Sequence, residues 1–436
     1  MCLSLPDSSE FLSLFKNKHF MFGQNHSILS KSCAKHWGKN VAFFGAIQDY
    51  SRKRGKADSA KVDFVELFFD LVFVFAITQI SHLLLHDLSL KGLVESALLL
   101  LAIWWVWVYT MWCTNWLDPA TPPVRTMLFV LMLAGLVLST SIPTAFGARG
   151  LVFACAFVFM QLGRSVFMVW VLRHHNQANY RNYLRITIWL AVSGSFWIAG
   201  GLAEPEYRLV FWAIALGIEV VGPALGFWTF RLGASSTGEW DVDGEYMAER
   251  AALFVIIALG ESILVSGATF ADQEWNFISF SAFLTTFVAS VAMWLVYFNV
   301  GQSAGHNKIA ATDDPGRIAR VAYTYVHILL VAGIIVVAVS DELILAHPTG
   351  HSDAAMTWTS IGGTALYLAG NLLFKFYIAG RPPLSHMIGL GLCAILAFFA
   401  AGLSPLVLGS LTTCILIIVA IWEYLGQVEA DHPFKN

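Results

Sequence analysis

Glu66 and Asp70 stand four residues apart in a run that is otherwise almost wholly apolar. On a helix that spacing puts both carboxylates on one face, about one turn apart. Ionisable groups in a membrane core are costly unless paired or hydrated, so each is a functional candidate. Two carboxylates on one face suit either of two tasks: holding a proton or small cation, or anchoring a salt bridge. Arg164, in a later apolar block, is the natural counter-charge for Asp70. It is expected to contact Asp70 or Glu66, either as a structural lock between helices or as the gate on a cation-binding carboxylate.

A second set lies further along the chain. Glu249 and Arg250 open an apolar block, and Glu261 follows twelve residues deeper, about 18 Å along a helix axis. Gly260 beside it permits close helix approach or a local break. Glu261 is therefore the leading candidate for proton or ion binding, against a neutral carboxyl hydrogen-bonded to a neighbouring helix. Glu219, beside Gly217, Gly222 and Pro223, carries the same two readings. His327 reads as a satisfied core histidine ahead of a proton relay. Trp104, Trp105, Trp107, Tyr109, Trp112 and Trp116 crowd one block. They read as interfacial belt and packing residues, with an aromatic wall for an organic or cationic ligand as the alternative.

Other chemistry is weakly supported. The six cysteines form no CxxC pair, which argues against a metal cluster or a dense disulfide framework. His82 with His86, and His174 with His175, lack a matching carboxylate or thiolate spacing. No phosphate loop, nucleophile elbow or zinc-protease signature appears, so no catalytic residue, metal or cofactor is assigned. Net charge is -3, which gives no basic footprint for nucleic acid.

The elements that must position these groups follow from composition. Of 436 residues, 57% are hydrophobic and only 13% charged; soluble domains carry about 25% charged residues. The apolar residues fall in blocks of bilayer-spanning length: 64–86, 92–113, 124–144, 150–172, 184–203, 208–230, 248–270, 276–300, 318–345, 356–378, 384–403 and 405–426. The break at 403–405 is the weakest; merging across it would leave about eleven spans. The predicted fold is an all-α polytopic membrane protein of about twelve helices. Residues 1–61 read as a basic cytoplasmic tail, largely disordered, with a short amphipathic stretch at 11–22. The units are then 62–231, a cytoplasmic linker 232–247, 248–426, and a cytoplasmic tail 427–436.

With the N-terminus inside, internal loops collect Arg125, Arg173, Arg181, Arg231, Arg317 and Arg381, whereas external loops keep only Lys91, Arg149 and Arg208. The positive-inside rule then places both termini in the cytoplasm of a cell (plasma) membrane. Glu204, Glu206, Asp272, Glu274, Asp341 and Glu342 are assigned to the outer side.

Paired motifs recur in order. Glu66 opens block one and Glu249 block seven; Asp118-Pro119 precedes Arg125 as Asp314-Pro315 precedes Arg320; Gly163-Arg164 in block four parallels Gly370-Asn371 in block ten. The expectation is two parallel six-helix repeats related by an axis along the membrane normal. Matching Glu66 to Glu249 sets Thr78 where Glu261 falls. Glu261 and the Glu66–Asp70 pair are therefore expected to line one central, partly hydrated cavity.

The strings Val65-Glu66-Leu67-Phe68-Phe69-Asp70-Leu71-Val72-Phe73-Val74-Phe75-Ala76 and Phe254-Val255-Ile256-Ile257-Ala258-Leu259-Gly260-Glu261-Ser262-Ile263 resemble the bacterial low temperature requirement A (LtrA) family. The resemblance covers roughly 62–425. It implies a polytopic membrane protein linked to growth in the cold, without fixing a substrate or reaction. Before the second motif the family pattern resembles His-x-x-Glu-Arg; Tyr246 stands where that histidine is expected, ahead of Glu249 and Arg250.

Three functions compete. The first is a proton- or cation-coupled small-solute transporter. The second is a non-transporting scaffold or envelope-adaptation protein in the lipid bilayer. The third, least supported, is a membrane-embedded lipid-modifying enzyme. A carrier would expose Glu261 and Asp70 to a shared hydrated cavity; a scaffold would bury them in closed pairs.

Overall fold

A computed structural model describes residues 49–52, 61–237, 240 and 242–431. The expectations for 1–48, including the stretch at 11–22, lie outside the described residues. From Tyr50 onward the chain forms one unit, and it is almost entirely helical.

Apart from Gly150–Leu172, each long helix starts where the sequence supplies a cap or a proline. Asp63 caps α1 (Phe64–His86): its carboxylate accepts the Val65 N–H, and Glu66 accepts the Asp63 N–H, which is the reciprocal arrangement of a capping box. Helix α2 is Leu90–Trp116, α3 Pro122–Ser141, α4 Gly150–Leu172, α5 Gln177–Leu202 and α6 Pro205–Ala224. Asp243 caps α7 (Gly244–Ala271) through the Tyr246 N–H. Helix α8 spans Phe277–Ala310 and α9 Pro315–Ala346. Helix α10 covers 354–379, followed by α11 (Leu384–Gly402) and α12 (Pro405–Asp431).

Among the described residues, eleven of these helices are long and apolar enough to cross a bilayer. Helix α10 is the twelfth long element, broken by a π-helical stretch at Trp358–Gly362. The weak sequence break at 403–405 is a real turn between α11 and α12. Helix α7 begins at Gly244, four residues earlier than the sequence boundary, because Asp243 supplies the cap. Helix α12 runs on to Asp431, beyond the 426 boundary.

Helices α2 and α9 are the most enclosed of the spans. Helix α9 packs on α10 almost backbone to backbone. A Cβ added at Gly333 would lie 2.6 Å from the Tyr367 Cα, and one at Gly370 would lie 2.9 Å from the Leu330 nitrogen. Small residues at such a crossing let two helices approach closely in lipid. Three successive helices carry π-helical stretches: Tyr297–Gln302 in α8, Ala319–Val326 in α9 and Trp358–Gly362 in α10. Stretches of this kind often mark functional positions.

Helices α1 and α7 lie side by side and parallel, with successive contacts in the same order along both. Asp70 meets Arg250, Phe73 meets Phe254, and Thr78 meets Glu261. This seam positions most of the candidate site.

Candidate functional site

The seam carries two polar levels separated by an aromatic one. At the level nearest Lys61, Glu66 accepts a hydrogen bond from the Tyr246 hydroxyl and a charged one from Arg52 at 2.8 Å. Tyr246 also meets Thr114 Oγ1 of α2 at 2.7 Å. One turn further, Asp70 is held by Arg250: Nη2 donates to Oδ1 at 2.8 Å, and Nη1 stands 2.7 Å from Oδ2. Trp107 Nε1 donates to the same Oδ1 at 3.0 Å. Asp70 and Arg250 are 0% and 1% exposed. A buried pair of this kind must be closed, because either charge alone would be left uncompensated.

The sequence therefore misassigned the counter-charge. Arg164 does not pair with Asp70 or Glu66. Its Nη1 donates to Thr110 Oγ1 and the Val106 carbonyl, and its Nη2 donates to Gln161 Oε1. Gln161 in turn donates to Glu219 Oε2 at 2.6 Å, and Ser193 and Trp197 donate to Oε1 of the same carboxylate. Glu219 thus has its positive partner one amide away. The physical reason is that both residues of the Glu66–Asp70 pair point at α7, whereas Arg164 points from α4 between α2 and α6. Glu249 remains exposed beside these groups.

Above Asp70 the seam is filled by rings. Phe254 lies 4.3 Å from Trp107, 5.3 Å from Trp104 and 6.2 Å from Phe73 between centroids. This layer stands between Asp70 and Glu261, so the structure does not join them in one cavity.

The second polar level is different in kind. Glu261, 0% exposed, accepts from Thr78 Oγ1 at 2.5 Å, and its Oε1 has no hydrogen-bond partner. Ser262, the next residue, lies about 100° further around α7 and meets α8 and α9. Its hydroxyl donates to Asp341 Oδ2 of α9 at 2.6 Å and lies 2.9 Å from Ser290 Oγ of α8. Among the described residues, neither Glu261 nor Asp341 is in a salt bridge. Asp341, placed among outer-side acids by sequence, is buried within α9.

The bacterial low temperature requirement A protein (LtrA) family matches residues 61–421. The chain belongs to the LtrA family. It is 41% identical over 378 residues to an uncharacterised protein of Rhizobium meliloti (strain 1021), covering 86% of this chain and 91% of that one. No solved structure matches it.

The remaining candidates of this LtrA chain separate cleanly. His327 is satisfied at both nitrogens, with Nε2 2.9 Å from the Tyr297 hydroxyl and Nδ1 2.8 Å from the Ala322 carbonyl. The aromatic block of α2 is buried in the bundle and does not form a belt: Trp104, Trp105 and Trp107 are at most 1% exposed. It divides between two sites. Trp104 and Trp107 face the seam, while Trp105, Tyr109, Trp112 and Trp116 join Phe227 and Trp240 around a cavity of about 50 Å³, with Arg320 at its wall. Two charged residues of the site, Arg52 and Asp341, were not assigned to it from the sequence. Arg52 lies in a segment whose composition hides a specific contact. Asp341 had a usable signal: it is two turns beyond Gly333, the close-packing position of the same helix.

Proposed function

We propose that this LtrA protein is a proton- or cation-coupled carrier of a small solute. One observation carries the reading: Glu261 of α7 and Asp341 of α9 are buried carboxylates whose hydrogen-bond partners are hydroxyl groups and not basic side chains. A carboxylate in a bilayer core with no basic group in direct contact must take up a proton or hold a cation; His82 acts on Glu261 only through space, with no direct ion pair. The other buried carboxylates have a basic group directly or one residue away, so Glu66, Asp70 and Glu219 hold the scaffold together while Glu261 does the coupling. The closed pairs Glu66–Arg52 and Asp70–Arg250 are what a non-transporting scaffold would also display, and that second reading rests on them.

Two further features of the carrier are proposed. Both termini lie in the cytoplasm of a plasma-membrane protein, on the distribution of arginine and lysine. The two six-helix halves are a parallel repeat, supported by equivalent neighbours: α1 packs on α3 as α7 packs on α9, and α3 packs on α4 as α9 packs on α10. The low temperature named in the family's description is then the condition under which this flux matters.

The test is flux in proteoliposomes of purified protein, with imposed proton or sodium gradients and a panel of small solutes. Glu261→Gln should abolish gradient-driven uptake while the protein inserts at its normal level. Unchanged uptake with unchanged pH dependence would rule Glu261 out as the coupling group.

A further inference from the structure

We propose that Asp341 and the hydroxyl groups around it form a binding site for one largely dehydrated monovalent cation of sodium size. The inference rests on the carrier reading for its purpose, but not for its geometry.

A cavity of about 10 Å³ lies where α8, α9, α10 and α12 meet, which is room for about one water-sized particle. Asp341 lines it, as do Ser340, Ser360, Thr364, Thr412 and Thr413. Asp341 is 3% and Ser340 2% exposed, and the Ser340 hydroxyl has no hydrogen-bond partner. A buried hydroxyl left without a partner is unusual enough to require a cause.

The proton positions decide what the cavity accepts. Thr364 donates its hydroxyl proton to the Ser360 carbonyl; Thr412 and Thr413 both donate theirs to the Gly409 carbonyl. Each of these oxygens keeps lone pairs and has no proton left to offer. Three hydroxyl oxygens and one carboxylate thus line the cavity as acceptors, and the uncommitted Ser340 hydroxyl can turn its lone pairs toward it; that set suits a hard cation better than an anion. One negative charge balances a monovalent ion; calcium sites draw on more carboxylates. Ser360 sits in the π-helical stretch of α10, where the backbone pattern changes beside the site.

Asp341 also fixes the route. It lies five residues before the end of α9, about 8 Å along the axis, on the side of the bundle opposite Lys61. Ser262 ties it to α7 beside Glu261, so occupancy of the cavity and the state of Glu261 act on adjacent residues of one helix.

The experiment is equilibrium ²²Na⁺ binding to the purified full-length chain in detergent, with thermal unfolding followed across a NaCl titration at ionic strength held constant by choline chloride. One saturable site per chain and a sodium-dependent rise in Tm are expected. Asp341→Asn should weaken binding at least tenfold and remove the Tm rise; Asp272→Asn, at an exposed carboxylate on the same side, should leave both intact. If Asp341→Asn does not fold, Ser340→Ala and Thr364→Val each remove one ligand oxygen and should each weaken binding. A wild-type protein with no saturable sodium binding, or variants that bind as wild type does, would overturn the site. Sodium binding without any gradient-driven flux would support the site and overturn the carrier; proton-driven flux without sodium binding would do the reverse.

Discussion

Replacing Arg250 with methionine should be among the most damaging single changes in this protein, and the Asp70–Arg250 pair allows the size to be worked out. Asp70 and Arg250 are effectively unexposed and meet at 2.7 and 2.8 Å. In Arg250→Met the carboxylate keeps only the Trp107 N–H at 3.0 Å, so a buried charge loses its partner. Breaking such a pair from one side costs about 3–5 kcal/mol, or roughly two to four decades in the folding equilibrium. Asp70→Leu should cost a similar amount by stranding the guanidinium. The double variant, Asp70→Leu with Arg250→Met, removes both charges and refills the space, and should return to within about 1–2 kcal/mol of the parent. The assay is reversible unfolding in lipid–detergent micelles by titration with a denaturing detergent, read by tryptophan fluorescence. A coupling energy above about 2 kcal/mol is expected from the double-mutant cycle. Single variants that each cost under about 1 kcal/mol, or effects that simply add, would refute the account of the seam.

The Arg164–Gln161–Glu219 chain makes an uncharged residue critical: Gln161→Ala should destabilise by about 2–3 kcal/mol in the same assay, because it removes one charge-assisted hydrogen bond from a buried carboxylate and one from a buried guanidinium. A loss no larger than an ordinary surface change would show that Arg164 is satisfied by Thr110 and Val106 alone. At the α9–α10 crossing, Gly333→Ala should cost about 1–3 kcal/mol, while Gly391→Ala, with open space at its Cβ, should be close to neutral. Equal effects at the two glycines would mean that the crossing is looser than described.

Much of the architecture was legible because a bilayer imposes a length on every span. The twelve apolar blocks correspond to twelve long helices among the described residues, and errors fall at the ends, where Asp243 and the continuation of α12 to Asp431 shift the boundaries. The candidate site was legible residue by residue but not as a set of partners. Glu66, Asp70, Arg250 and Glu261 all lie on the α1–α7 seam, and Thr78 meets Glu261. Which cation serves which anion depends on the rotation of each helix about its axis, and a hydrophobic block does not report that angle. Arg164 was chosen for its depth, yet it points away from α1. Arg52 was invisible for another reason: a polar, basic segment carries no periodicity from which a single anchored residue could be read.

The seam also sets a timetable. Asp70 and Arg250 are separated by 180 residues. At about 5–20 residues per second, a ribosome takes on the order of 10–40 s to reach the arginine after the aspartate has been made. For that interval α1 has its acid without the base that closes it. The first of the described helices is thus completed only by the seventh, and biogenesis of the chain must hold α1 close to the growing bundle until α7 arrives.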